Sequence, residues 1–514
     1  MKMNRLEQLF FKLYPKNSVN KKRLLRFINK LPPKVTKTTA DNKRMIIYAL
    51  YVDQFALNFP GLIKHLDHII NLGCNVLWLL PILKSPGLDQ GFDISDYYHV
   101  RQELGGNQAF FNLLKLAKAR NLKIIFDISI NHSSIKHPWF KNKPDFYIWS
   151  KNRHLYTDGN RVIFPHDPAD PTLDQEDPRQ KWVWHQPKRQ YYYRTFYQHQ
   201  PDLNYHNPEL LLAMSQVLAF WAKKGVAGFR ADAAPFLWKE NKKINESLPQ
   251  THIILQFFQA VIALVNQEAF LLAEACQKPR QLMAYLNPHE CSLAYNFPRM
   301  TALWQAILTQ NCQALITDIQ ATPKPPKGCN WLMFLRLHDE LCLEMLPDKE
   351  RQLLYQRLIP NGLDFRNGYG VAGRLASFLN NDPKKILFAW ALLLVQPGLP
   401  LIFQGDDIGQ TNNYNYYQKM KQLTNQNDTR FVNRGPMVWN KNKQKVYTGL
   451  RRLIKLSCQY HFDKAELQLI KEQKPHLFSC LRQFNDQQIL CQYNLKNFSF
   501  TWSPLNKPPA RVRS

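Results

Sequence analysis

The sequence predicts an α/β protein: a closed TIM-type (β/α)8 barrel with an inserted subdomain after strand 3 and a small C-terminal β domain. Three observations lead there. Eight short, β-rich apolar runs alternate with amphipathic helical stretches, which is the pattern of parallel β/α units. Eight such units close a barrel rather than leave an open sheet. The rhythm breaks once, between residues 130 and 228, and changes near residue 440 to short runs of antiparallel character.

The elements follow in order. Residues 1–44 form a basic helical extension (KKRLLR, NKR) that ends at the breaker LPPK. The strands are MIIYALYV (45–52), NVLWLLP (75–81), KIIFDISI (123–130), GFRAD (228–232), AFLLAEA (269–275), CSLAYNF (291–297), WLMFLRL (331–337) and PLIFQG (400–405). Helical patterns such as LIKHLDHIINLG and FFNLLKLAKARNL lie between them. The barrel therefore takes 45–132 and 205–440. An aromatic, turn-rich subdomain occupies 133–204, and a second insertion, 339–385, separates strands seven and eight. HLFSCLRQF, QQILCQYN and FSFTW place the small β domain in 441–514.

Composition narrows the class. With 45% hydrophobic and 21% charged residues over 514 positions, the chain is globular rather than disordered. Its 33 prolines, 31 phenylalanines and 22 tyrosines suggest ordered aromatic loops, common around sugar clefts and in loop-rich enzymes generally. The net charge of +29 raises the question of a polyanionic partner. There is no long lysine block, no zinc-finger spacing and no RNA-recognition signature, so nucleic acid is not expected as the partner. Nine scattered cysteines without a CxxC pair fit reduced thiols in a cytoplasmic enzyme better than a disulfide framework or metal cluster. The N-terminal apolar run is broken by Lys12 and lacks a cleavage site, and ILFAWALLLV (386–395) is too short for a bilayer, so no membrane role is expected. Nothing in the sequence fixes the oligomeric state.

Strand ends of such a barrel build the active-site face, so polar residues there carry the functional signal. Strand three ends with Asp127, Asn131 and His132, strand four with Arg230 and Asp232, strand five with Glu274, and strand seven with Arg336, His338, Asp339 and Glu340. A single aspartate at a strand end reads first as a cap or turn residue. Carboxylates, histidines and arginines on consecutive strand ends exceed what capping needs. Arg230 and Asp232, two apart in a strand, share a face.

NH after strand three, GFRxDA after strand four, the strand-five glutamate and HD after strand seven resemble, in this order, the motifs of the α-amylase superfamily of glycoside hydrolases. LDQGFDISDYYH (88–99), QPDLNYHNPEL (200–210) and GLPLIFQGDDIG (398–409) extend the likeness across roughly 45–440. LLAEACQKP, PHECSLAYNFPRM, PKGCNWLMFLRLHDELCLEM, RGPMVW and DFYIWS are similar to trehalose synthases, which isomerise maltose. YVDQFALNFPGL and NDTRFVN are similar to amylosucrases.

The resemblance implies a glucosyl transfer by double displacement on a small α-glucoside: maltose or trehalose first, with sucrose transfer or hydrolysis, and simple α-glucosidase or α-amylase action, as alternatives. It implies Asp232 as nucleophile, Glu274 as acid and base, and Asp339 as the sugar-gripping carboxylate. Arg230 keeps Asp232 ionised and aimed, His132 and His338 hydrogen-bond the ring, and Phe92 supplies an apolar platform. Asp89 and Arg430 match a salt bridge that closes the cleft in exo-acting relatives. Leu337 and Cys276 depart from the usual residues at their positions. Some relatives have lost catalysis and act as binding subunits, typically with one carboxylate gone; all three are kept here. No cofactor is needed for the chemistry. A structural calcium ion stays open: Asn131 and Asp202 match ligands in some relatives, the first-strand calcium loop is missing, and both residues can instead bond the inserted subdomain.

Overall fold

The computed structural model describes residues 2–34, 44–153, 181–241, 244–424, 427–439, 444–470 and 474–505. Residues 35–43 of the expected N-terminal extension, 154–180 of the expected inserted subdomain and the basic residues at the C-terminus lie outside them.

All eight expected strands form, and they close one parallel barrel. They are β1 (Ile47–Leu50), β2 (Val76–Leu79), β3 (Lys123–Ser129), β4 (Gly228–Asp232), β5 (Phe270–Ala273), β6 (Leu293–Tyr295), β7 (Asn330–Met333) and β8 (Leu399–Phe403). Each pairs with its neighbours in sequence, and β8 returns to β1 with Ile47 beside Leu401. Their continuous apolar runs follow from burial on both faces, toward the barrel interior and toward the helices.

The helices carry their own start signals. Asn207, Asp382 and Asn296 each accept a hydrogen bond from a backbone amide in the first turn of Pro208–Lys223, Pro383–Leu394 and Phe297–Thr309. ILFAWALLLV falls in the second of these and is buried around its circumference, as a short apolar helix should be. Gly73 ends Leu66–Leu72 at φ 107°, a conformation that favours glycine.

Residues 2–29 of the N-terminal extension form two helices that pack against the helical ring. Helices α1 (Lys2–Leu13) and α2 (Ser18–Asn29) bury Leu6, Leu9, Phe10, Leu24 and Phe27, and the Phe10 and Phe27 rings lie 6.2 and 6.1 Å from that of Phe257. The Tyr14 hydroxyl donates to the carbonyl of Tyr205 and fixes the extension to the barrel.

The insertion after β3 contributes a three-stranded antiparallel sheet (Trp149–Ser150, Trp182–His185, Gln190–Tyr193). The insertion between β7 and β8 contributes another (Leu341–Cys342, Leu363–Phe365, Gly370–Ala372). The region read as β from 441 begins with a helix. Gln444–Gln459 packs against Pro383–Leu394 and Leu66–Leu72 and so fills the place in the ring between the last and first β/α units. The four-stranded antiparallel sheet starts only at Glu466 and runs to Pro504.

Candidate active site

The site begins with strand register. In parallel pairing of β3 with β4, Asp127 stands beside Arg230 and Ser129 beside Asp232. Alternation then puts Arg230 and Asp232 on one face, one pleat apart, at the barrel mouth. The Arg230 guanidinium donates to Asp127 (2.6 Å) and to Asp232 (2.7 Å) through one nitrogen and ion-pairs with Glu274 through the other. It is 1% exposed and lies over the rings of Trp78 and Phe92, with centroids 5.7 and 5.4 Å away. The Trp78 indole donates to the second oxygen of Asp127, so the carboxylate behind Arg230 is itself fixed.

Glu274 has a second anchor. Ala233, directly after Asp232, has φ 53°, and its amide donates to Glu274 at 3.1 Å. A non-glycine residue in the left-handed region beside two carboxylates is local strain of the kind found at working sites.

Burial pushes Asp127, Asp232 and Glu274 up to about 7 against the pull of Arg230. The arginine therefore moderates the ionisation of Asp232 but does not hold it in the usual carboxylate range, which differs from the expectation. Asp339 is the opposite case. His338 Nε2 lies 2.9 Å from one oxygen, and Arg434 and Arg430 donate to the other at 2.7 and 3.0 Å; these partners hold Asp339 well below the carboxylate range despite burial.

Asp89, Phe92, His132, Arg230, Asp232, Glu274, Asp339 and Arg430 line one cavity of about 190 Å³, with Phe196, Phe236, Phe297 and Phe365 among its apolar walls. His132 reaches to 4.0 Å from Asp232 and, buried, stays neutral at ordinary pH, its pKa lowered to about 4. His338 does not line the cavity. It is 1% exposed, stacked on Phe92 at 5.7 Å, and stands behind Asp339. It positions the carboxylate and the aromatic platform where direct contact with a sugar was expected.

Asp89 and Arg430 do not pair. Asp89 accepts from Gln200 at 2.9 Å, while Arg430 donates to Asp428, to Asp339 and, at 3.4 Å, to the Tyr197 hydroxyl. Arg430 is buried, at 6% exposure, so it is no surface residue. Arg434, Tyr197 and Gln200, which the sequence reading missed, stand behind the wall and hold Asp339, Arg430 and Asp89. Arg434 had a signal: it lies four residues after Arg430, the αR cap of the short helix Phe431–Arg434, a spacing that puts two residues on one face.

The donors matched to calcium are already occupied by a cation of the chain. Lys239 Nζ lies 2.6 Å from Asp202 and 2.8 Å from Asn131 and also bonds the carbonyl of Phe236. Thr195 donates twice more to Asp202. With an ammonium group on these oxygens, the residues present do not fit a calcium ion there.

Two acids that share one cation at the mouth of a parallel barrel are the working parts of a glycosidic-bond site of the two-carboxylate class. Residues 48–339 and 371–490 match the family model described as the catalytic domain of alpha amylase, and the chain belongs to the α-amylase family. It is 36% identical over 374 residues to a trehalose synthase of Pimelobacter sp. strain R48, covering 69% of this chain and 63% of that one. It is 38% identical over 362 residues to a trehalose synthase/amylase of Mycolicibacterium smegmatis, covering 68% of this chain and 59% of that one. The matched region thus spans about three fifths of these relatives. Among solved structures, sucrose 6F-phosphate phosphorylase from Thermoanaerobacter thermosaccharolyticum superposes with a TM-score of 0.75 at 16% identity, covering 92% of this chain and 98% of that one. Trehalulose synthase from Pseudomonas mesoacidophila MX-45 gives 0.69 at 21% identity, covering 89% and 91%. These two likenesses concern the fold.

Proposed function

We propose that the chain moves glucosyl units between small α-glucosides by double displacement, and that its principal reaction interconverts maltose and trehalose. The observation that carries this reading is the closed far side of the cavity. Arg430, tied to Asp339 and reaching Tyr197, links the 428–434 segment to the inserted subdomain, and Gln200 of that subdomain is tied to Asp89 on the loop after β2. Its volume of about 190 Å³ is below the roughly 300–1,000 Å³ of pockets for larger ligands. A single terminal sugar fits such an end better than a polymer passing through. The similarity to trehalose synthases supports the choice of maltose and trehalose.

In this reading Asp232 attacks the anomeric carbon while Glu274 gives its proton to the departing glycosidic oxygen. The covalent glucosyl-enzyme forms and free glucose remains in the enclosed cavity. Glucose turns, Glu274 takes the proton from a different hydroxyl, and that oxygen displaces Asp232 to give the other disaccharide. Asp232 and Glu274 both stand near 7. Near neutral pH the pair therefore holds about one proton, as one nucleophile and one acid require. Asp339, ionised by two arginines, grips the ring hydroxyls and opposes the positive charge that develops on the ring. The apolar walls exclude water, which would otherwise take the glucosyl group. All nine cysteines are free, and on that ground we place the protein in the cytoplasm. Among the described residues no helix is long and apolar enough to cross a membrane.

Chromatography of products from maltose, trehalose and sucrose tests the reading. Maltose should yield trehalose, with glucose as a minor leak. Glucose alone would make the enzyme a hydrolase, and turnover confined to sucrose would make it an amylosucrase-like transferase.

A further inference from the structure

The cavity that holds the acids has a second chemistry in its wall. Cys276 comes two residues after Glu274, on the loop leaving β5. Cys342 and Glu344 lie on the insertion after β7, three and five residues beyond Asp339. The two sulfurs are 3.5 Å apart, and the two Sγ atoms and a Glu344 carboxylate oxygen all lie within 4.8 Å of one another. All three residues line the active-site cavity.

We propose that Cys276, Cys342 and Glu344 form a binding site for a soft divalent cation such as Zn2+, and that its occupancy shuts the cavity beside Glu274. The spacing suits the ion. Tetrahedral zinc with Zn–S bonds of about 2.3 Å sets its two sulfurs about 3.8 Å apart, close to the 3.5 Å found. Two thiolates and a carboxylate with a divalent ion leave one negative charge, and the Arg366 guanidinium, 2.7 Å from Glu344, offsets it. The third ligand distinguishes this cluster from a pair awaiting oxidation, since a disulfide would give Glu344 no part. Three protein ligands leave the fourth position open to the cavity, where a water or a sugar hydroxyl can bind. Binding releases the two thiol protons to solvent and changes no oxidation state.

The site joins the loop of the acid to the segment of the sugar-gripping carboxylate. An ion there fixes both and fills space beyond Glu274, where a leaving sugar would go. The binding claim stands independently of the substrate assigned above.

The test uses the full reduced chain and Co2+ as a spectroscopic stand-in for Zn2+. One equivalent of Co2+ should produce a thiolate-to-metal charge-transfer band. The band should be lost in Cys276→Ser and in Cys342→Ser and should form with weaker binding in Glu344→Gln. In the unaltered protein Zn2+ should also protect Cys276 from alkylation, read by peptide mass spectrometry, so the outcome does not depend on how well the variants fold. A band that survives both cysteine variants, or alkylation of Cys276 unaffected by Zn2+, overturns the assignment. So does a Cys276–Cys342 disulfide as the form of the isolated protein.

Discussion

Arg230 donates to Asp232 at 2.7 Å through one terminal nitrogen and pairs with Glu274 through the other, so one guanidinium aims both acids and moderates the effect of burial on their charge. A lysine offers a point charge and cannot span both carboxylates. Arg230→Lys should lower kcat roughly 10²–10³-fold, the scale of losing one preorganised electrostatic contact. Circular dichroism and steady-state kinetics on maltose check this. A folded variant within tenfold of the original rate contradicts it.

The pH dependence follows from the same pair. Below about 7 Asp232 becomes protonated and cannot attack, and above about 7 Glu274 loses the proton it must donate. The profile of kcat/KM against pH should be a narrow bell centred near neutrality, with its limbs belonging to the coupled pair. A broad plateau from about pH 5 to about pH 9 would mean the two acids are far better separated than their shared arginine permits.

Lys239 takes the place on Asn131 and Asp202 that a metal would need. Added Ca2+ should therefore leave the melting temperature of the unaltered protein unchanged. Lys239→Ala leaves the buried charge of Asp202 without its partner and should destabilise the fold by about 3–5 kcal/mol. Thermal unfolding with and without added Ca2+ reads both outcomes, and a Ca2+-induced rise in the unaltered protein refutes the substitution of lysine for calcium.

The closed wall is tested at Arg430. Removing its side chain in Arg430→Ala opens the link between Asp339 and Tyr197. The ratio of turnover on longer maltooligosaccharides to turnover on maltose should rise, and KM for maltose should rise with it. An unchanged ratio means the wall is built by other residues.

Much of the site was legible because it sits where the sequence has least freedom. GFRAD can place Arg230 and Asp232 on one face only as a strand, and Glu274 and Asp339 follow strands β5 and β7 at the same rim. What was hidden depends on contacts between distant segments. Lys239 reads as one more surface lysine in a chain of net charge +29 until the fold closes it on Asn131 and Asp202. Asp89 and Arg430 were expected to pair, but Asp428, two residues before Arg430, is the nearer and better oriented partner. His338 was placed in the pocket by its motif, and the stacking of Phe92 moved it behind Asp339. The helix Gln444–Gln459 was missed because the β character of the residues after it set the reading of the whole region.

The central claim is that Asp232 carries the glucosyl group. A fluorinated glucosyl donor that forms the intermediate quickly and loses it slowly should trap the adduct. Peptide mass spectrometry of the quenched enzyme should then find one fluoroglucosyl mass on the peptide containing Ala227–Phe236, at Asp232, and none on Asp232→Asn. An adduct on Glu274, or no adduct on an enzyme shown to consume the donor, would contradict the account.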